Sequence, residues 1–216
     1  MKRNLFLQLI ICAVLLCGIS PLSAAPVPPA EAKNWVETRG NELLQAFGEP
    51  DLAVKYRRLD ELLLKYVDLD YISRFVIGKH WRQMTAEQKE QYRALFRRYA
   101  LALYKGFPLN FGEQLNFKVG QITPAPEHTV VQILINLPGS SPQQNGSEIA
   151  VEFLISRNKK QTRIIDLKLG ESSLILSYRS RFYEMVAEAD DDIGWFLEDL
   201  ETVTVSNEKN NQLKLK

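Results

Sequence analysis

The apolar residues of this chain change period twice, and that change fixes the layers it can build. Up to Pro108 they recur every three or four residues, from Leu115 to Leu169 they alternate, and from Ser173 the longer spacing returns. A period near 3.6 buries one stripe of a helix, whereas a period of two buries one face of a strand. Helices at both ends and strands in the middle predict an α+β fold, with helices gathered over one face of a curved antiparallel sheet.

Four helices are predicted before Pro108. The first runs from Glu31 to Phe47, with Trp35, Val36, Leu43, Leu44 and Phe47 apolar, and ends at Gly48 and Pro50. The second, Leu52 to Tyr66, puts Tyr56, Leu59, Leu62, Leu63 and Tyr66 on one face. A short third helix, Leu69 to Ile77, is capped by Asp68 and stopped by Gly78. In the fourth, Ala86 to Lys105, Thr85 and Gln88 have the spacing of a capping box. Its stripe of Tyr92, Leu95, Phe96, Tyr99 and Leu103 demands a large apolar partner, which the strands are expected to supply. Beside it runs a basic stripe of Lys89, Arg93 and Arg97. The stripes of these helices cannot all be satisfied by one another.

About four strands follow. Their inward positions are Leu115, Phe117 and Val119; Val131, Ile133, Ile135 and Leu137; Ile149, Val151, Phe153 and Ile155; and Ile165, Leu167 and Leu169. Pro138 to Ser147 reads as a long hairpin loop and Asn158 to Gln161 as a tight turn. A further helix carries Leu174, Tyr178, Phe182, Met185 and Val186, and Asp190 to Asp192 break it and cap a last helix over IGWFLEDLETV. Residues 206–216 are polar and aperiodic, so they are expected to be disordered.

The opening MKRNLFLQLIICAVLLCGISPLSAA combines Lys2 and Arg3, an apolar run from Leu5 to Ile19 and small residues near Ala25. It reads as a secretory leader, residues 1–25, cut after Ala24 or Ala25. PVPPA then forms a stiff linker, and residues 26–205 make one domain. Both cysteines, Cys12 and Cys17, lie in the leader, so an exported product has no disulfide to lean on. Losing Lys2 and Arg3 turns the net charge from +1 to −1, which offers nucleic acid no bulk attraction. The expected location is the periplasm.

Chemical motifs are scarce. His80 and His128 stand apart and read as surface or loop residues, no metal-ligand spacing occurs, and no Gly-rich phosphate loop or nucleophile elbow is present. No cofactor is expected. Asp166 is the one candidate for acid–base work; strand alternation instead turns it away from the apolar face, toward Lys168 or Arg179. Many aromatics over a sheet rich in Val, Ile and Phe, without catalytic groups, suit a cavity for a long apolar ligand. The competing readings are an enzyme or binder of a small apolar molecule, with Asp166 as base, and a scaffold with a dry core.

Two segments carry a family resemblance. ISRFVIGKHWRQMTAEQKEQYRALF resembles the fingerprint of the MlaC, or toluene-tolerance, family through Ile72, Ser73, Arg74, Val76, Gly78, Trp81, Arg82, Thr85, Glu87, Gln88 and Phe96. IIDLKLGESSLILSYRSRF is similar to a second family segment through Asp166, Ser173, Leu174, Tyr178, Arg179 and Phe182. NKKQT and GESS depart from the family's turns. The resemblance implies an NTF2-like sheet and a periplasmic phospholipid carrier, with a hopanoid-type ligand as the alternative. It also implies partners: an outer-membrane lipoprotein complex, an inner-membrane ABC transporter complex and transient contact with membrane. The expected lipid-binding residues are Ile72, Phe75, Val76, Phe96, Tyr99, Leu103, Val131, Ile133, Ile135, Val151, Phe153 and Leu174. Lys89, Arg93 and Arg97 are the docking candidates.

Overall fold

Local capping chemistry sets most of the helix starts. In the computed structural model, which describes residues 24–106, 115–136, 148–158 and 161–215, helix α1 spans Pro29–Phe47, α2 Leu52–Tyr66, α3 Leu69–Ile77 and α4 Ala86–Tyr104. Pro29 opens α1 where a missing N–H costs nothing. Asp51 and Asp68 accept from Val54 and Tyr71 at the starts of α2 and α3. The capping box of α4 is complete: Gln88 N donates to Thr85 Oγ1 at 3.1 Å, and Thr85 N to Gln88 Oε1 at 2.9 Å. Gly78 ends α3 at φ +53° and leads into a 3₁₀ turn, Gly78–Arg82.

Five strands form one antiparallel meander in chain order: β1 Asn116–Pro124, β2 Thr129–Asn136, β3 Glu148–Asn158, β4 Gln161–Leu169 and the two-residue β5 Ser172–Ser173. The fold is therefore the expected α+β curved sheet, with a short fifth strand added where GESS turns the chain toward helix α5, Leu174–Glu188. Helix α6, Ile193–Leu213, starts at an Asp192 cap. The leader through residue 23 and the loop at 138–147 lie outside the described residues.

Two apolar cores result. The first joins α3, the 3₁₀ turn, α4, α5 and α6, with Tyr92, Phe182, Phe196, Val186 and Leu200 wholly buried. Its rings meet at angles, as Tyr92–Phe182 (6.4 Å, 77°) and Phe182–Phe196 (5.8 Å, 63°) show. The second lies between α1 and the sheet, around Val36, Val131, Ile133 and Ile155.

Four expectations change. Helix α6 runs through the tail expected to be disordered, because polar contacts rather than apolar periodicity hold it. Arg98 binds Glu201 and Glu208 at 2.8 and 2.7 Å, and buried Asn211 donates to the Ala102 carbonyl. That helix, not the sheet, is the main partner of α4. The PVPPA segment is a strap rather than a linker: Val27 is wholly buried and exchanges two hydrogen bonds with Thr129, while Ala25 pairs with Arg157. On β4, finally, alternation breaks. Leu154 pairs with Asp166 and Ile155 with Ile164, so Ile165 is an extra residue in a bulge.

Candidate functional site

A cavity of about 500 Å³ opens between α1, α2, the sheet, the end of α4 and the start of α5. Its walls are almost entirely apolar. Helix α1 contributes Trp35, Leu43, Leu44 and Phe47, α2 contributes Leu59, Leu62, Leu63 and Tyr66, and the sheet contributes Phe117, Ile133, Ile135, Phe153, Ile164 and Leu167. Leu43, Leu44, Phe47, Leu62 and Leu63 are only half-buried. In a filled core they would touch neighbours on all sides; here they face a void. The volume falls within the roughly 300–1,000 Å³ of ligand pockets. A dry-core scaffold has no such space.

Of the twelve residues expected at a lipid site, the structure places eight on this cavity: Ile72, Phe96, Tyr99, Leu103, Ile133, Ile135, Phe153 and Leu174. Four stand elsewhere. Val76 is sealed in the helical core, and Phe75 packs under the Arg179 guanidinium, 5.1 Å from its ring centre. Val131 faces the right way but is covered by Val27, Ala32 and Val36. Val151, the cross-strand neighbour of Ile133, is buried without bordering the cavity. Alternation identifies a face, not what lies over it. The walls from α1 and α2 were the part missed, although their unsatisfied stripes were the available signal.

The β4 bulge brings Asp166 to the cavity together with Ile164 and Leu167. Its carboxylate is engaged on both oxygens: Oδ1 accepts from Leu167 N (2.7 Å) and Ile175 N (3.1 Å), and Oδ2 from Ser173 Oγ (2.6 Å). A carboxylate at the first turn of α5 satisfies N–H groups that the helix leaves unpaired and sits at the positive end of its dipole. Asp166 thus anchors α5 to β4; it does not pair with Lys168 or Arg179. Arg179 donates to the Phe75 carbonyl and to Tyr183 Oη, which also accepts from Lys79 N. The two family-like segments therefore interlock at Gly78, where a Cβ would lie 2.2 Å from Tyr183 Oη. His80 is buried there, not exposed, with its ring edge-on to Tyr183 and Nδ1 3.1 Å from Gln83.

The docking candidates lie outside the cavity. Arg93 and Lys89 sit over the Trp81 ring at 4.9 and 5.5 Å, and Arg97 is exposed one turn further on. Among the described residues, no cluster of His, Cys, Asp and Glu could hold a metal ion, and no helix is long and apolar enough to cross a membrane.

The sequence model of the family described as MlaC protein matches residues 41–202, three-quarters of the chain. The chain belongs to the MlaC family. A solved structure, that of the phospholipid-binding protein from Ralstonia solanacearum in complex with a phospholipid, superposes with a TM-score of 0.67. It is 17% identical, and the match covers 82% of this chain and 98% of that one. At that identity the likeness is one of fold. The family match begins at residue 41, inside α1, and ends inside α6, so it spans every wall of the cavity except the first turns of α1.

Proposed function

We propose that this MlaC-family chain is a periplasmic phospholipid carrier, holding acyl chains in the cavity between helices and sheet. The observation that carries the proposal is the cavity itself, about 500 Å³ lined almost entirely by large apolar side chains. An empty space of that kind is destabilising, and an acyl chain fills it without any need for directed polar groups. Family membership and the phospholipid held by the Ralstonia protein agree with this reading.

The energetics explain why a carrier needs no catalyst. Each methylene exposed to water costs about 0.8 kcal/mol, so two chains with around 30 methylenes cost on the order of 24 kcal/mol. A cavity about as apolar as the bilayer removes that cost and leaves loading and unloading nearly balanced. In this role the chain passes lipid between an outer-membrane lipoprotein complex and an inner-membrane ABC transporter complex, and so maintains outer-membrane lipid asymmetry. The exposed face carrying Lys89, Arg93 and Arg97 is the docking surface.

Protein purified without detergent should yield phospholipid in an organic extract examined by mass spectrometry, and should take up labelled lipid from vesicles. Failure of both measurements would sink the proposal. Replacing Arg93 and Arg97 together by Glu should slow delivery to acceptor membranes carrying the partner complexes while bound lipid is retained. Loss of the lipid itself would move these arginines from docking to the cavity.

A further inference from the structure

Among the described residues, the apolar cavity has one cationic side chain in its wall. Arg39, on α1 between Trp35 and Leu43, is one-third exposed, so its guanidinium lies at the rim where the cavity meets solvent. One arm is occupied, since Nη1 donates to Glu42 Oε1. The guanidinium carbon lies 5.0 Å over the Tyr66 ring, and Tyr66 Oη donates to the other Glu42 oxygen at 2.7 Å. Nε is buried and has no acceptor among the described residues, so the N–H groups a ligand can reach are those on the exposed side of the guanidinium.

The local charge supports an anion. Tyr66 and then Arg39 hold the Glu42 carboxyl below its ordinary value, so it is ionised at neutral pH. The Lys65 ammonium lies 5.0 Å from the same Tyr66 ring. Arg39 and Lys65 against Glu42 leave a surplus of one positive charge at this rim. Asp166, the other charged cavity residue, has its oxygens taken by Ser173 and two backbone N–H groups at the start of α5.

We propose that Arg39 is the headgroup residue of the carrier, the exposed side of its guanidinium donating to a phosphate oxygen of the two-chain lipid whose tails fill the cavity. This rests on the lipid reading above and adds to it an orientation: the tails point inward from α1, and the phosphate stays at the rim beside Tyr66. It also adds a preference for phosphate-bearing lipids over neutral lipids with the same chains.

The test compares wild type, Arg39→Met and Arg39→Lys in uptake of labelled phosphatidylglycerol and of diacylglycerol with identical chains, with inorganic phosphate as competitor. Arg39→Met should weaken phosphatidylglycerol binding by roughly tenfold or more, the scale of a charged hydrogen bond, and leave diacylglycerol binding unchanged. Arg39→Lys should recover part of the loss, since it keeps the charge without the planar fork. Equal loss for both lipids would make Arg39 a packing residue and overturn the proposal, as would unchanged phosphatidylglycerol binding. Competition by inorganic phosphate without displacement of the tails would assign the site to a free anion and also overturn it. Wild type taking up neither lipid would instead count against the lipid reading itself.

Discussion

At the scale of single residues, Asp166 shows how one buried carboxylate ties two elements together. Asp166→Ala leaves the Ile175 N–H and the Ser173 hydroxyl without their acceptor, and should cost about 1–3 kcal/mol in urea unfolding. Asp166→Asn keeps one acceptor oxygen and should cost less. Lipid uptake by the folded fraction of either variant should match wild type; a specific loss of uptake would give Asp166 a role in the site. Gly78 is the second such position. At φ +53°, with Tyr183 Oη 2.2 Å from where a Cβ would stand, Gly78→Ala meets both backbone strain and a clash. It should destabilise by at least about 1–3 kcal/mol, read as a lowered melting temperature.

At the scale of elements, what was legible in the sequence was what is local. Asp68 and the Thr85–Gln88 pair act within one turn, so the starts of α3 and α4 are read from them, while α2 is read from the apolar stripe between Leu52 and Tyr66. What escaped depends on partners far along the chain. The bulge at Ile165 is a matter of register with β3, and nothing in IIDL alone announces it. The C-terminal turns of α6 looked disordered because their anchors, Arg98 and the Ala102 carbonyl, lie about a hundred residues earlier. The cavity walls were visible as stripes, but a stripe facing a void and one facing a neighbour have the same pattern; Leu43 and Val76 differ only in what lies opposite. Deleting residues 206–216 tests the reading of α6. It removes Glu208 and Asn211 from α4, and should lower stability and speed amide exchange in α4, whereas a disordered tail would leave both unchanged.

At the scale of the whole molecule, buried tyrosines and paired carboxylates bound the pH range of stability. Burial raises the Tyr92, Tyr99 and Tyr104 hydroxyls, and pushes Tyr178 up to about 12. These groups stabilise fully below the unfolded value of about 10, and the contribution is lost as pH rises from there through the folded values. Glu42 and Glu208 are lowered, by the Tyr66 hydroxyl and by Arg98 respectively. Their contribution is present above about 4.5 and lost as pH falls through the folded values. Urea midpoints measured against pH should therefore form a plateau that falls on the alkaline side above about 10 and on the acid side below about 4.5. A midpoint that climbs between pH 10 and 12 would contradict the burial of these tyrosines. The cavity has a volumetric consequence as well. A void disappears when the chain unfolds, so the unfolded state takes up less room and compression favours it. The empty protein should unfold at lower hydrostatic pressure than the lipid-filled one, and the difference should shrink as shorter acyl chains leave more of the space unoccupied.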